Sequence, residues 1–304
     1  MEGWAEGAYQ EFAVGLDYNL VALPPNLTYE QGSAVGVAFV AAVLALGVSL
    51  GLDFSTIAGG PDLFRLVRSI DSQKIPEDVR RETLNGIEES ERLKPGDWLA
   101  VWGGSATSAN MTIQLAKIAG LKVAVVVDHA KHGAWLSAHK NIRPDLLVDS
   151  HDPQRAVDII RRATRGKVRA GLDTRGRETA THLLRSLLTE EEAELHLDSK
   201  TENPPTPPGT PGKSTSRAHL VGMTGLPKCP SSPSYAFHAV PIKLFHEVPE
   251  IGAPIASWLG RILEKGILSP PDILGVEQGL KSVNAALDRM RNGEISGGKL
   301  VVKV

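Results

Sequence analysis

The sequence has a single cysteine, Cys229, among 304 residues. An internal disulfide is therefore impossible, and a cysteine-rich structural zinc site cannot be assembled from one thiolate. Cys229 is also a poor candidate nucleophile. It stands in Lys228-Cys229-Pro230 with no histidine beside it to take its proton. A lone thiol suits a reducing compartment, and a cytoplasmic location is expected. An excess of either charge is almost missing: 33 Lys and Arg face 35 Asp and Glu, for a formal charge of −2. No global basic field exists to draw nucleic acid or an anionic membrane. Residues 1–7 carry two Glu and no Lys or Arg, and no compact apolar region follows them, so they do not read as a secretory signal. The sequons at Asn26 and Asn110 then read as chance matches. There is no internal repeat.

What is present is an ordinary globular mix, 42% hydrophobic and 22% charged, long enough for two domains. Residues 32–52 carry no charge and could reach across a bilayer. Glycines and serines interrupt the run, and no Lys or Arg anchors either near flank. Thr28 and Gln31 form a capping box ahead of it. The run is expected to be a buried helix, and no membrane partner is expected.

Residues 8–25 predict extended structure, with β-favouring Tyr9, Phe12, Val14, Leu20 and Val21 ended by Pro24-Pro25. Residues 53–94 are polar and are expected to be an irregular insertion with one or two short helices. From Trp98 the texture alternates. Residues 98–102 and 123–127, the segment Leu146-Leu147-Val148, and residues 168–172 read as buried strands. Between them Met111, Leu115 and Ile118 repeat at helical spacing, with Gly120 as the stop. Asp152-Pro153 opens another helix, and residues 177–188 form a third. Such alternation predicts an α/β fold with a parallel sheet covered on both faces. Residues 198–217, with five prolines, are expected to be a mobile loop. A strand over 219–223, helices over 255–265 and 280–291, and a terminal strand over 299–304 follow.

The chemistry-bearing motif is Gly103-Gly104-Ser105-Ala106-Thr107-Ser108-Ala109. It lies between the first strand and the first helix, where a dinucleotide fingerprint belongs. Glycine lets the backbone approach a pyrophosphate, and the helix N-terminus offers free N–H donors. Ala109 stands where close helix–strand packing requires a small residue. The competing reading is a tight turn with a Ser or Thr cap. At the end of the second strand, Asp128 could accept from a ribose 2′-OH, which favours NAD(H). His129, Lys131 and His132 follow at once and could offset its repulsion of a 2′-phosphate, which favours NADP(H). The same four residues could equally be a solvated loop of mixed charge. No third ligand accompanies His129 and His132, so a metal site is not expected there.

These residues resemble a known family. The phosphate-loop segment through Thr112 looks like that of fungal medium-chain dehydrogenase/reductases, in particular the zinc-independent branch of ToxD-like proteins and trans-acting enoyl reductases. Glu6-Gly7-Ala8-Tyr9-Gln10-Glu11-Phe12 looks like a strand of that family. Residues 20–25, 37–39, 220–228, 241–246 and 293–302 are similar to its later segments. The resemblance implies a doubly wound Rossmann domain over 95–265 and part of a GroES-like β-barrel domain from 1–52 and 266–304. It implies a longer family region ahead of Glu6, carrying most of that barrel. Ser105, Ala106, Thr107 and Ser108 would hold the NADP(H) phosphates. Asp128, His129 and Lys131 would lie by the adenosine ribose, with Ser150, Thr224 and Ser296 near the cofactor. Asp128 replaces a residue that is often serine in the family.

The reaction the resemblance implies is zinc-independent hydride transfer to an activated C=C or a quinone, in fungal secondary metabolism. A small-molecule substrate, a homo-oligomer and a polyketide synthase partner are the associations it implies. Tyr235 is a candidate proton donor, with a structural buried tyrosine as the alternative. Two other readings stay open: a nucleotide-binding or scaffold protein that has lost catalysis, and an alcohol dehydrogenase.

Overall fold

The structure is a computed structural model and describes residues 7–198 and 216–304. Six strands, β1 (Trp98–Trp102), β2 (Lys122–Val127), β3 (Leu146–Asp149), β4 (Ala170–Asp173), β5 (Ala218–Gly222) and β6 (Tyr235–Ala239), form one sheet in the order β3-β2-β1-β4-β5-β6. Every pairing is parallel. Because side chains alternate, each strand feeds two cores. Leu99, Val101, Val123, Val125, Leu172 and Val221 face one, and Ala100, Trp102, Ala124, Val126, Val148 and Leu220 face the other. This burial on both faces is why the strands read as unbroken apolar runs.

Eleven of the twelve α-helices among the described residues surround the sheet. α1 (Tyr29–Ser33), α2 (Gly36–Leu44), α3 (Leu63–Ser69) and α4 (Glu77–Asn85) precede it. α5 (Thr107–Ile118), α6 (His129–Ala138), α7 (Pro153–Thr164) and α8 (Arg177–Leu187) are the crossovers, and α9 (Glu190–Ala193) follows α8. α10 (Lys243–Glu247) and α11 (Pro249–Glu264) come after β6. The capping box is formed: the Gln31 N–H donates to Thr28 Oγ1 at 3.2 Å, and the Thr28 N–H to Gln31 Oε1 at 3.0 Å. The uncharged run continues through α2 into a π turn, Ala45–Ser49, and its apolar residues join the core that α5 and α11 share. Its hydrophobicity is thus spent on the protein interior.

Residues 53–94 hold two short helices, α3 and α4, in otherwise irregular chain, as expected, but they also pack into the core. Phe54, Leu63, Val67 and Ile75 are buried in the same core as α2. Their spacing within a polar stretch hid an apolar face. A polar network ties this segment to the sheet. Ser49 Oγ donates to Glu82 Oε1 at 2.6 Å, and the same oxygen lies 2.9 Å from His238 Nδ1. His238 Nε2 meets His219 Nδ1 at 2.9 Å, and the two rings stack. Beyond them His219 Nε2 is 3.5 Å from Glu91 Oε2, which also pairs with Arg217. Both histidine side chains are buried.

Residues 8–25 form no strand. A 3-10 turn at Asp17–Asn19 interrupts a loop, and Tyr9, Phe12, Val14, Leu20 and Val21 are exposed. β-favouring side chains do not make a strand without a partner to take the backbone hydrogen bonds. β7 (Ile273–Gln278), α12 (Val283–Arg291) and β8 (Lys299–Lys303) form a separate unit in which the two strands pair in parallel. Of the expected barrel portion the described residues hold this two-stranded sheet, which closes no barrel. It is tied to the larger sheet by Trp135 Nε1 donating to Asp272 Oδ2 at 2.8 Å and Asn141 Nδ2 donating to Ser269 Oγ at 2.7 Å. Of the segments singled out earlier, Glu6 and residues 199–215 lie outside the described residues.

Candidate functional site

The sheet reverses its strand order at β1, between β2 and β4. Ligands of doubly wound sheets sit in the crevice outside the carboxyl ends of the strands at such a point. Here that crevice is a cleft of about 290 Å³ lined by Trp102, Gly103, Ser105, Asp128, Lys131 and Ser150 among others.

Two glycines shape its floor. Gly103 has φ +85°, and a Cβ there would lie 2.3 Å from Thr174 Oγ1. A Cβ on Gly104 would lie 2.1 Å from Val125 Cγ1. Neither position has room for a Cβ: at Gly103, which lines the cleft, it would meet Thr174 and Arg175, and at Gly104 it would meet Val125 in the core. The chain then enters α5 with Ala106 at the N-cap and no side-chain cap bond. This settles the alternative of a Ser or Thr cap against that reading. An α-helix leaves its first N–H groups without intrahelical acceptors, and here no side chain takes them. These features fit the diphosphate of a dinucleotide: a glycine in the cleft lining, uncapped donors and the positive end of the helix dipole.

Three residues that sequence reasoning missed hold the loop. Thr174 Oγ1 donates to the carbonyls of Trp102 and Gly103, at 3.1 and 3.0 Å. Asp173 Oδ1 accepts from the N–H groups of Arg175 and Gly176, at 2.9 and 2.7 Å. Burial raises the Asp173 carboxyl above its ordinary range. Arg175 lines the cleft opposite Ser105 and brings the charge a diphosphate needs. The readable signal was an Asp ending an apolar strand, followed by Thr, Arg and Gly.

At the β2 end, Asp128 is not in a loop. It caps α6, with Oδ1 accepting from the Lys131 N–H at 3.1 Å. That bond holds its carboxyl below the usual carboxylate range, helped by the charges of His151 and Lys131. His129 is the first residue of α6. Its N–H donates to Asp149 Oδ1 at 3.1 Å, and it does not line the cleft. His132 does, and its Nε2 is 3.0 Å from Ser296 Oγ. Burial pushes the His132 imidazole down. Ser296, named by resemblance alone, is thus brought from the C-terminal unit to the cleft.

The structure separates the other expected residues. Ser105 lines the polar cleft, while Thr107 and Ser108 line a second, apolar cleft of about 530 Å³ shared with Val37, Val283 and Val301. Thr224 stands exposed after β5, with its Oγ1 beside Gly176. Tyr235 is at the wrong end of the sheet. It pairs with Ala218 at the start of β5, whereas the cleft lies beyond the strand ends where Asp173 pairs with Gly222. Its hydroxyl donates to the Pro230 carbonyl, and burial raises its pKa. The structural reading of Tyr235 therefore replaces the proton-donor reading. Tyr235→Phe is expected to cost about 1 kcal/mol of stability for the lost hydrogen bond and to leave nucleotide affinity unchanged. Denaturant melts and a nucleotide titration check this.

No family model matches the chain. Over its whole length it is 24% identical to a zinc-type alcohol dehydrogenase-like protein of Schizosaccharomyces pombe, covering 77% of that protein. It is 23% identical over 98% of its length to a trans-enoyl reductase of Gibberella fujikuroi, covering 71% of it. Among solved structures, a Pseudomonas syringae quinone oxidoreductase superposes with a TM-score of 0.62 at 16% identity, over 98% of this chain and 72% of that one. The chain has the medium-chain dehydrogenase/reductase fold. It spans about two thirds of the length of such structures, 65% of one enoyl reductase and 72% of the quinone oxidoreductase. Among the described residues no group of three or more His, Cys, Asp or Glu is placed to hold a metal.

Proposed function

We propose that the chain is an NADP(H)-dependent, zinc-independent reductase that delivers hydride to an activated C=C or a quinone. One observation carries the reading: the uncapped N-terminus of α5 behind two glycines that leave no room for a Cβ. The names of its relatives, enoyl reductase and quinone oxidoreductase, support the choice of reaction. The nicotinamide, when bound, supplies the hydride. The residues of this chain bind and orient. Gly103, Gly104 and the first turn of α5 would hold the diphosphate, with Arg175 and Ser105 beside it. Asp128 and Lys131 would meet the adenosine ribose, and Ser150, His132 and Ser296 would wall that end. The apolar cleft beyond Thr107 and Ser108 would take the reducible substrate.

A second reading, a nucleotide-binding protein without turnover, draws support from that apolar cleft. Val37 and Met290 on its wall are 84% and 52% exposed, while hydride transfer requires water to be kept out.

One experiment separates the readings. The chain is titrated with NADPH and NADH, following Trp fluorescence, since Trp102 lines the cleft. Nucleotide oxidation is then assayed with enones and quinones, and nucleotide reduction with alcohols. Binding with enone or quinone turnover supports the reductase. Alcohol turnover alone replaces it with a dehydrogenase, and binding without any turnover favours the second reading. Failure to bind either nucleotide removes all three. Replacing Ser105 by Glu is expected to abolish binding, because a carboxylate would face the diphosphate. Unchanged affinity would refute the placement.

A further inference from the structure

The ribose end of the cleft holds more charge than a fingerprint needs. His151 stands in the turn after β3, between Ser150 and Pro153, which both line the cleft. Its Nδ1 is 3.0 Å from Asp149 Oδ1, and its Nε2 is 3.9 Å from Asp128 Oδ2. The imidazole therefore bridges two carboxylates from different strand ends. Asp128 has spent Oδ1 on capping α6, so Oδ2 is the oxygen left for a ligand or a cation. Lys131 Nζ is 3.5 Å from that same oxygen and its side chain is 73% exposed, so it can turn toward a ligand.

The groups facing His151 are thus Asp149 at the end of β3, Asp128 just after β2, and Lys131 on α6. His132 and Arg175 line the same cleft from α6 and from the loop after β4. With His151 neutral, the two carboxylates outweigh Lys131 by one negative charge. With His151 protonated, the local sum is zero and Lys131 is released from screening Asp128. A 2′-phosphate is a dianion above its second pKa near 6, so it is repelled in the first state and accepted in the second. A ribose 2′-OH, which only donates to Asp128, feels little of this change.

We propose that His151 is the residue that sets the choice between 2′-phosphorylated and unphosphorylated dinucleotide at this site, admitting NADP(H) when it bridges Asp149 and Asp128 as a cation. The inference rests on the nucleotide-binding reading above. The hydrogen bond that the imidazole donates to Asp149 holds its pKa above the ordinary value, with both carboxylate charges adding to the effect. The cationic form therefore persists to higher pH than that of an unperturbed imidazole. Preference for NADP(H) is present below that raised value and is lost as pH rises through it.

The test is the ratio of NADPH to NADH affinity, measured on the full chain by Trp fluorescence from pH 6.5 to 9, where the 2′-phosphate stays doubly charged. The ratio is expected to fall roughly three- to tenfold across this range, the size of one unit charge a few ångströms from a dianion in partly screened water. His151→Gln keeps a donor but cannot ionise, and should give a low ratio that does not change with pH. His151→Lys should hold the ratio high up to pH 9. His151 is exposed, so neither variant is expected to disturb folding, and circular dichroism checks that. If both nucleotides bind and the ratio is flat in the wild type, or if His151→Gln retains the slope, the proposal is overturned while the nucleotide site stands. If neither nucleotide binds at any pH, the underlying reading fails first.

Discussion

Gly104→Ala is expected to lower dinucleotide affinity roughly a hundredfold, the equivalent of about 3 kcal/mol, and to reduce the melting temperature by several degrees. A Cβ at this position would lie 2.1 Å from Val125 Cγ1. Val125 is buried in the middle of β2 and is hydrogen-bonded in register with Val101 of β1. It cannot retreat, since its neighbours are close-packed strands and helices. The loop must move instead, and in the proposed complex it carries the backbone that would approach the diphosphate. Overpacking at such a site typically costs 1–3 kcal/mol in stability, and the lost donor geometry adds to the binding defect. Val125→Ala opens the space, so the double variant should recover part of the affinity that Gly104→Ala loses. Nucleotide titration of the wild type, the two single variants and the double variant reads this coupling directly. Equal affinity of Gly104→Ala and wild type would mean that the loop does not contact the ligand.

The second large effect is acid instability from the buried histidine pair. Burial, with His238 beside it, pushes the His219 imidazole down to about 4. An unfolded chain holds this group near its ordinary value of about 6.5. The unfolded state therefore binds the extra proton first as pH falls. The stability His219 contributes is intact above about 6.5, shrinks as pH drops through that value, and is gone below about 4. The full amount is about 3 kcal/mol. Other carboxylates add their own acid dependence, so the measurement is a comparison. Urea unfolding at pH 7 and pH 4.5 is run on wild type and on His219→Gln, which keeps a hydrogen-bonding group against His238 but does not titrate. The variant should be less stable at pH 7 and should lose clearly less stability on acidification. An equal loss in both proteins would place the acid sensitivity elsewhere.

The extent to which these features were legible follows from what kind of signal each leaves. Five of the sheet's six strands were legible because strands buried on both faces must be apolar throughout, as residues 123–127 are; β6 was not read. Gly120 marked a helix end and Asp152-Pro153 a helix start for the same reason that they stop and open helices. The phosphate loop was legible because two adjacent glycines between strand and helix have few other uses. What failed needed partners. Residues 8–25 carry β-favouring side chains but meet no strand. α6 has a weak apolar face, and only the Asp128–Lys131 cap announced it. Residues 53–94 looked polar because their core contacts, Phe54, Leu63, Val67 and Ile75, are scattered. At the site, Thr174 acts through hydrogen bonds to a loop some seventy residues earlier, while Asp173 braces the turn that carries Arg175, and no local spacing records the first. His151 is functional in this account only because β3 sets it beside the end of β2.

The most direct measurement of the central claim is hydrogen–deuterium exchange of the intact chain with and without saturating NADPH. The account predicts slowed exchange in residues 103–110, with a smaller effect around residues 128–132 and 174–177. Binding that protects other parts of the chain while leaving residues 103–110 unchanged would contradict it.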